Sequence, residues 1–292
     1  MDGRQAGPEV PDRAAPGSPV PAGRLAAFQA GTIRRRLRSL ALGIGHVWPA
    51  RKGPFMRCLY LHNVLERERA SFRTLLREIK NRGDVIATSG LIDILASGRQ
   101  PSDTYFHLSF DDGFANVTGD AVAIMTEERV TATLFVATGF VRDDASAGVA
   151  GPVPSGTRHR PRRMASWNEL RAAAASGFEI GSHSHTHVSL SAISGDPERL
   201  HREIIGSKHI LEQQLGVPCT SFAWPRGRMA DFDERSAKLV RQAGFKACFS
   251  AVRGSVVPGK TDHLHIPRHQ IEAGWPLAHQ RAFLTGQWEG WN

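Results

Sequence analysis

Cysteine is scarce in this chain. Cys58, Cys219 and Cys248 are its three cysteines, an odd number in apolar, strand-like surroundings without paired spacing. That pattern argues against a disulfide framework and fits a reducing compartment. Long hydrophobic runs are missing as well, so no stretch is apolar enough to span a bilayer. Residues 1–23 lack the apolar core of a secretory signal and are instead rich in Pro, Gly and Ala, which points to a cytoplasmic protein. Internal repeats are absent. An acidic excess is absent too: 37 Lys and Arg stand against 28 Asp and Glu, for a formal charge of +9. Such basicity at first suggests nucleic acid or a membrane. Residues 1–57, however, hold ten basic residues against three acidic ones, so +7 of the +9 sits there and the remaining body is nearly neutral. The charge belongs to an arm, and no nucleic-acid partner is expected.

What is present is an ordinary globular composition. The 292 residues are 41% hydrophobic and 22% charged, enough for one large α/β domain with a sizeable core. Pro8, Pro11, Pro16, Pro19 and Pro21 keep the first residues from burying surface. The stretch from Arg34 to Leu42 is basic and partly amphipathic, suited to an anionic membrane surface. It also has the look of an organelle transit sequence, or of a solvated extension upstream of a start near Met56. Residues 1–55 are therefore expected as a basic arm, disordered or loosely attached, with peripheral membrane contact as its candidate role. Residues 56–275 form the domain, and residues 276–292 a C-terminal tail.

Within the domain, strands and helices alternate. Cys58 to His62 reads as a first buried strand. Phe72, Leu75, Leu76 and Ile79 lie on one helix face, closed near Gly83. Leu91, Ile92 and Leu95 make a second helix, stopped by Gly98. Phe106, Leu108 and Phe110 alternate as a strand that ends in Asp111-Asp112-Gly113, and Thr131 to Val136 follows as another. Residues 141–163 read as a long polar loop, a candidate lid. Ser166 with Glu169 makes a capping box, and Gly177 ends that helix. Asp196-Pro197 opens a long helix that closes at Gly216. The runs 178–181, 219–223, 246–249 and 265–271 complete the strands. Such alternation argues for a parallel β/α barrel or an open α/β sheet.

Three strand ends carry unusual polar residues. In a β/α barrel those ends share one face, so distant residues meet there. The first is Asp111-Asp112. Neighbours on a strand point to opposite sides, so the two carboxylates can hold different roles at one site only if the strand breaks between them. The second is His183-Ser184-His185-Thr186-His187. On a helical turn His183 and His187 project from one side and suit one divalent ion. One carboxylate added to them makes a two-His, one-carboxylate face fit for catalytic zinc, or for Fe, Co or Mn. An extended segment would instead put His183, His185 and His187 on one face. The third is Trp224-Pro225-Arg226-Gly227.

These residues resemble a known family. Ser109 to Gly113 is similar to the first motif of the polysaccharide deacetylases (carbohydrate esterase family 4, the NodB-homology domain). Gly181 to His187 looks like the second motif, and Phe222 to Gly227 is similar to the third. The strands at Tyr60-Leu61-His62 and Ile266-Pro267-Arg268 resemble the flanks of one branch. The resemblance covers roughly residues 57–272 and implies a distorted (β/α)7 barrel. It implies metal-dependent hydrolysis of an N-acetyl amide on an amino sugar, in a glycan or glycolipid. Asp111 would be the general base, and Asp112, His183 and His187 the metal ligands. Zinc is the first choice, with Co, Mn, Fe or Ni as alternatives. The Arg226 backbone N–H would hold the oxyanion.

The chain departs from the family pattern at two positions. Many members carry Arg where this chain has Ala223, and there it holds the catalytic Asp; Arg268 on the last strand is a substitute by its placement. Many also carry a Leu-x-His that protonates the leaving amine. Here His263, His265 and His269 lie nearby without a clean match, and His269 and His265 are the candidates. His62, Trp224 and Arg268 are expected to line the substrate pocket, with Trp167 and Trp224 able to stack on a sugar. Two other readings compete: a deformylase or other small-amide C–N hydrolase on the same fold, and a non-catalytic glycan-binding protein. Acyl release and metal content separate the three.

Overall fold

The computed structural model of the chain describes residues 53–143 and 163–285. The expected arm, apart from its last three residues, and positions 144–162 of the expected loop lie outside the described residues. Eight strands appear among the described residues: β1 Met56–Leu61, β2 Asp84–Ile86, β3 Tyr105–Phe110, β4 Thr133–Val136, β5 Glu179–Ser182, β6 Ser221–Ala223, β7 Ala247–Phe249 and β8 His269–Gln270. All named pairings are parallel, as crossover connections require. The order is β7-β6-β5-β4-β3-β1-β8, with β2 beside the first half of β3. Seven strands thus lie on the main path. β2 has only three residues, none of them buried, and no apolar run advertises it.

Alternation on β3 sets the architecture. Phe106, Leu108 and Phe110 belong to the main apolar core, and Phe110 meets Phe72 edge-on at 5.9 Å. Phe72 lies on helix α1, Arg69–Lys80, with Leu75, Leu76 and Ile79, all buried. That is the i, i+3, i+4, i+7 face the spacing predicts. The other side of β3 presents His107 and Ser109. The His107 ring stacks on Phe249 of β7 at 4.9 Å. In strand order β3 and β7 are four places apart, so this contact requires the sheet to curl until its interior faces itself. The Arg268 guanidinium in that interior lies over Tyr60 of β1, Phe135 of β4 and Phe249 of β7 at 4.5, 5.3 and 5.8 Å.

The last strand closes the curl. Ile266 donates to Cys248 O at 2.8 Å and accepts from Ser250 N at 2.9 Å, while Ile271 N donates to Tyr60 O at 2.9 Å. One short stretch is therefore bonded to β7 at its start and to β1 at its end. The result is the distorted (β/α) barrel expected from the sequence, with every strand's carboxyl end at one rim.

Local signals set several boundaries. Glu169 N donates to Ser166 Oγ at 3.3 Å and Ser166 N donates to Glu169 Oε2 at 2.8 Å, the reciprocal cap that starts helix Trp167–Ala175. The long helix opened by Asp196 is interrupted: Pro197–His201 and Ser207–Leu215 are α-helical, and Arg202–Gly206 between them is a π turn. Beyond residue 275, where a tail was expected, helix Leu277–Leu284 buries Phe283 and Leu284, and its Arg281 pairs with Glu78 of α1 at 2.7 Å. No helix among the described residues is long and apolar enough to cross a membrane.

Candidate metal centre

The strand breaks between the two carboxylates. Asp111 N still donates to Leu61 O at 2.9 Å, in register with β1. Asp112 has φ +76° and Gly113 φ +84°. A Cβ added at Gly113 would come within 3.2 Å of Val136. The reversal lets consecutive side chains serve one site from different angles. For Asp112 the left-handed backbone costs about 1–3 kcal/mol, a strain characteristic of functional positions. Among non-glycine residues with positive φ, Asp112, Ser184, His187 and Arg226 all lie on the loops that follow β3, β5 and β6 at this rim.

Asp112 faces two imidazoles. Its Oδ1 lies 3.6 Å from His183 Nε2 and 3.3 Å from His187 Nε2. All three residues are buried, and one ligand atom from each lies within 4.8 Å of the others. His183 Nδ1 donates to Ala223 O at 2.7 Å. A carbonyl only accepts, so Nδ1 carries a proton, and Nε2 is the ring atom turned toward Asp112 and available to a metal. Three ligand atoms from buried side chains thus converge on one point. The donor set of two imidazoles and one carboxylate fits zinc and its first-row neighbours.

The histidine loop is neither the helical turn nor the extended run that the spacing allows. Left-handed residues at Ser184 (φ +65°) and His187 (φ +56°) fold it instead. His185 does not join the cluster. Its Nδ1 shares a 2.9 Å hydrogen bond with Thr138 Oγ1, and its carbonyl accepts from Gly139 N at 2.8 Å. A Cβ at Gly139 would stand 2.7 Å from that carbonyl oxygen, so only glycine permits the approach.

Asp111 has a different partner. Arg268 Nη1 and Nη2 donate to its two oxygens at 2.7 and 2.8 Å, Nη1 also reaches Ser109 Oγ at 3.0 Å, and Nε donates to Ser250 O at 2.8 Å. Arg268 is fully buried. Burial alone would push the Asp111 carboxyl up; Arg268, followed by the His183 and His62 imidazoles, outweighs it and holds the carboxyl below its ordinary value. Arg268 therefore occupies the place its strand position suggested, beside the Asp. The expectation that it lines a substrate pocket is corrected, because its guanidinium is consumed inside the barrel.

Trp224 is corrected on the same ground. It is fully buried, stacks on Phe232 at 4.3 Å and donates its indole N–H to Arg228 O at 3.1 Å. No face is left for a sugar. Trp167 is also buried, at the start of its helix. Arg226 has φ +64° and an exposed side chain, and a Cβ at the following Gly227 would meet Ala251 N at 2.4 Å. His62 follows β1 with its side chain 22% exposed and its Nδ1 3.6 Å from Glu272 Oε1. Burial would lower the His62 imidazole, but the Glu272 bond and the charges of Asp112 and Asp111 raise it to about 9.

Of the two expected proton donors, His269 is turned away. Arg268 points into the barrel, so its neighbour faces outward: His269 is fully buried, bonds Gly254 O through Nε2 at 3.1 Å and lies 6.3 Å from the Phe283 ring. His265 is half-buried with its ring 5.3 Å from Trp224, and burial lowers it.

His269 instead contributes to acid stability. Burial, helped by Arg57 and Arg253, lowers it from 6.5 to about 3. Between those values an unfolded chain takes up a proton that the native chain refuses. The contribution is complete above the unfolded value and is lost as pH falls toward the folded one. From pH 7 to pH 5 His269→Gln, which keeps a donor for Gly254, should therefore lose about 2 kcal/mol less stability than the wild type. Denaturant melts at the two pH values measure this, and equal losses would contradict a buried neutral His269.

Glu203 is the residue that sequence reasoning missed. It lies in the π turn, is 3% exposed, and its Oε2 accepts from His185 N at 2.9 Å and Thr186 N at 2.7 Å. Thr186 Oγ1 donates to its other oxygen. A mid-helix glutamate has no sequence mark that separates this role from a solvated one.

Comparison with known proteins adds three observations. A family model described as polysaccharide deacetylase matches residues 98–248. YxkH of Bacillus subtilis (strain 168), a protein assigned to the polysaccharide deacetylases, is 21% identical over 153 residues, which is 52% of this chain and 47% of that protein. The chain thus matches about half the length of this curated relative. Two solved structures share the fold. IcaB from Ammonifex degensii superposes with TM-score 0.63 at 20% identity, covering 80% of this chain and 98% of that one. The Streptococcus pyogenes deacetylase PplD, solved with acetate, superposes with TM-score 0.62 at 17% identity, covering 81% and 99%.

Proposed function

Because the chain belongs to the polysaccharide deacetylase family, whose members are hydrolases of non-peptide carbon–nitrogen bonds, we propose that it removes an N-acetyl group from an amino sugar in a glycan or glycolipid. The observation that carries this reading is the division of the two adjacent carboxylates. Asp112 meets His183 and His187, and Asp111 is clamped on Arg268.

In this reading Asp112, His183 and His187 hold one divalent ion, zinc first. Such an ion supplies Lewis-acid polarisation of the acyl oxygen and acidifies water. Asp111 accepts a proton from the attacking water. Arg268 keeps that carboxylate charged and fixes the angle of its plane. The left-handed turn at Arg226 sends its side chain to solvent and leaves its amide as the donor for charge developing on the acyl oxygen. With His269 facing outward, His62 is the imidazole assigned to the leaving amine, held by Glu272, which itself accepts from Gln270 Nε2 at 2.7 Å.

The test is acyl release from a panel of N-acetylated and N-formylated saccharides, by metal-loaded and chelator-treated protein. Acetate should appear, stop with the chelator and return with added zinc. Formate without acetate would move the chain to the deformylases. Saccharide binding with no acyl release, indifferent to the chelator, would leave a glycan-binding protein.

A further inference from the structure

The loop that carries His183 and His187 offers two carbonyls to the turn after β4: Ser184 O accepts from Thr138 N at 3.2 Å and His185 O from Gly139 N at 2.8 Å. Its five amides from 183 to 187 are all bonded as well. His183 N donates to Val136 O at 2.9 Å, the one bond to a neighbouring strand. Ser184 N donates to Ser182 Oγ at 3.2 Å, and His187 N to Ser184 Oγ at 3.1 Å. The middle pair, His185 N and Thr186 N, both donate to Glu203. Ser182 Oγ is in turn 2.7 Å from Ser207 Oγ. Glu203 and Ser207 flank one another on the interrupted helix, in and just after its π turn, a feature frequent at functional sites.

We propose that Glu203 is a positioning residue that presets the two imidazoles. Its carboxylate gathers two consecutive amides and a hydroxyl, which holds the loop in the left-handed path through Ser184 and His187. A regular strand end could not offer both ring nitrogens to Asp112, because residues four apart on it lie too far along the chain. The strain of two left-handed residues therefore needs an opposing hold, and alongside the Thr138 and Gly139 amides Glu203 supplies it through His185 N and Thr186 N. The role rests on the metal reading above; the hold itself does not, since the bonds are complete within the chain.

Two measurements on the full-length protein separate these levels. The first is hydrogen exchange of the His185 and Thr186 amides in metal-free protein. Protection should be strong in the wild type and in Asp112→Ala, and clearly reduced in Glu203→Gln, whose uncharged oxygen accepts the same two amides more weakly and whose NH2 group replaces the acceptor of the Thr186 hydroxyl. The second is titration with Co(II) alone, read by its d–d absorption. Glu203→Gln should bind about 10–100-fold more weakly, as when a partner behind a ligand is removed. Its turnover should recover at saturating Co(II) with KM unchanged, a split that general unfolding would not produce. Unchanged protection, or an affinity within about twofold of wild type, overturns the proposal. If Glu203→Gln does not fold, Thr186→Ala carries the test. It keeps the backbone bond and removes the hydroxyl, so protection and affinity should both fall, and no change in either overturns the proposal. Wild-type protein that ignores Co(II), or Asp112→Ala that binds it equally, would sink the metal reading and leave the exchange result standing.

Discussion

Asp111→Asn is expected to keep its bound metal and lose about 100- to 10,000-fold in turnover, the range assigned to a positioned proton acceptor. The substitution preserves shape and one oxygen for Arg268 but removes the basic site. Asp112 lies one residue away and belongs to the cluster with His183 and His187, so metal content should be indifferent to position 111. A fall in both metal and turnover would mean that the two carboxylates share one role, and near-normal turnover would assign the base elsewhere. Some stability should also be lost, because the amide no longer balances the buried guanidinium. Activity is therefore to be compared at a temperature where both proteins are folded.

Arg268→Met is expected to cost about 3–5 kcal/mol, because it strands a buried carboxylate without its cation. In a domain of this size that loss lowers the melting temperature by on the order of 10 °C. Asp111 is 4% exposed, and its oxygens have the two Arg268 nitrogens at 2.7 and 2.8 Å. Screening by solvent is correspondingly small, which distinguishes this pair from the exposed ones on α1. Arg73, Arg77 and Lys80 all reach Glu128, yet their side chains are 33, 61 and 40% exposed, and such pairs contribute little. The double variant Arg268→Met, Asp111→Leu removes both charges together, so most of the lost stability should return. A single Arg268→Met protein that melts with the wild type would show that the pair does not hold the barrel interior.

The chemistry was more legible in the sequence than its supports were. Asp111-Asp112-Gly113, the four-residue spacing of His183 and His187, and the Trp-Pro-Arg-Gly turn are local patterns, and they follow three parallel strands whose ends share a rim. The pairing of Arg268 with Asp111 spans 157 residues. Only the missing arginine at Ala223 hinted at it. Arg268 and His269 were both expected at the site, although strand alternation lets only one of two adjacent residues enter the barrel. Trp224 shows the opposite limit: an aromatic at a strand end reads alike whether it meets a sugar or Phe232. Glu203 was beyond reach, because its value depends on a π turn and a loop that meet only after folding. β2 escaped for want of any buried residue.

The most direct test is an anomalous-difference map from crystals soaked in zinc or cobalt. One dominant peak should lie about 2.0–2.2 Å from Asp112 Oδ1 and from the Nε2 atoms of His183 and His187, with Asp111 still on Arg268 and outside the coordination sphere. A peak bound to other residues, a peak ligated by Asp111, or no peak between those three side chains would contradict the site.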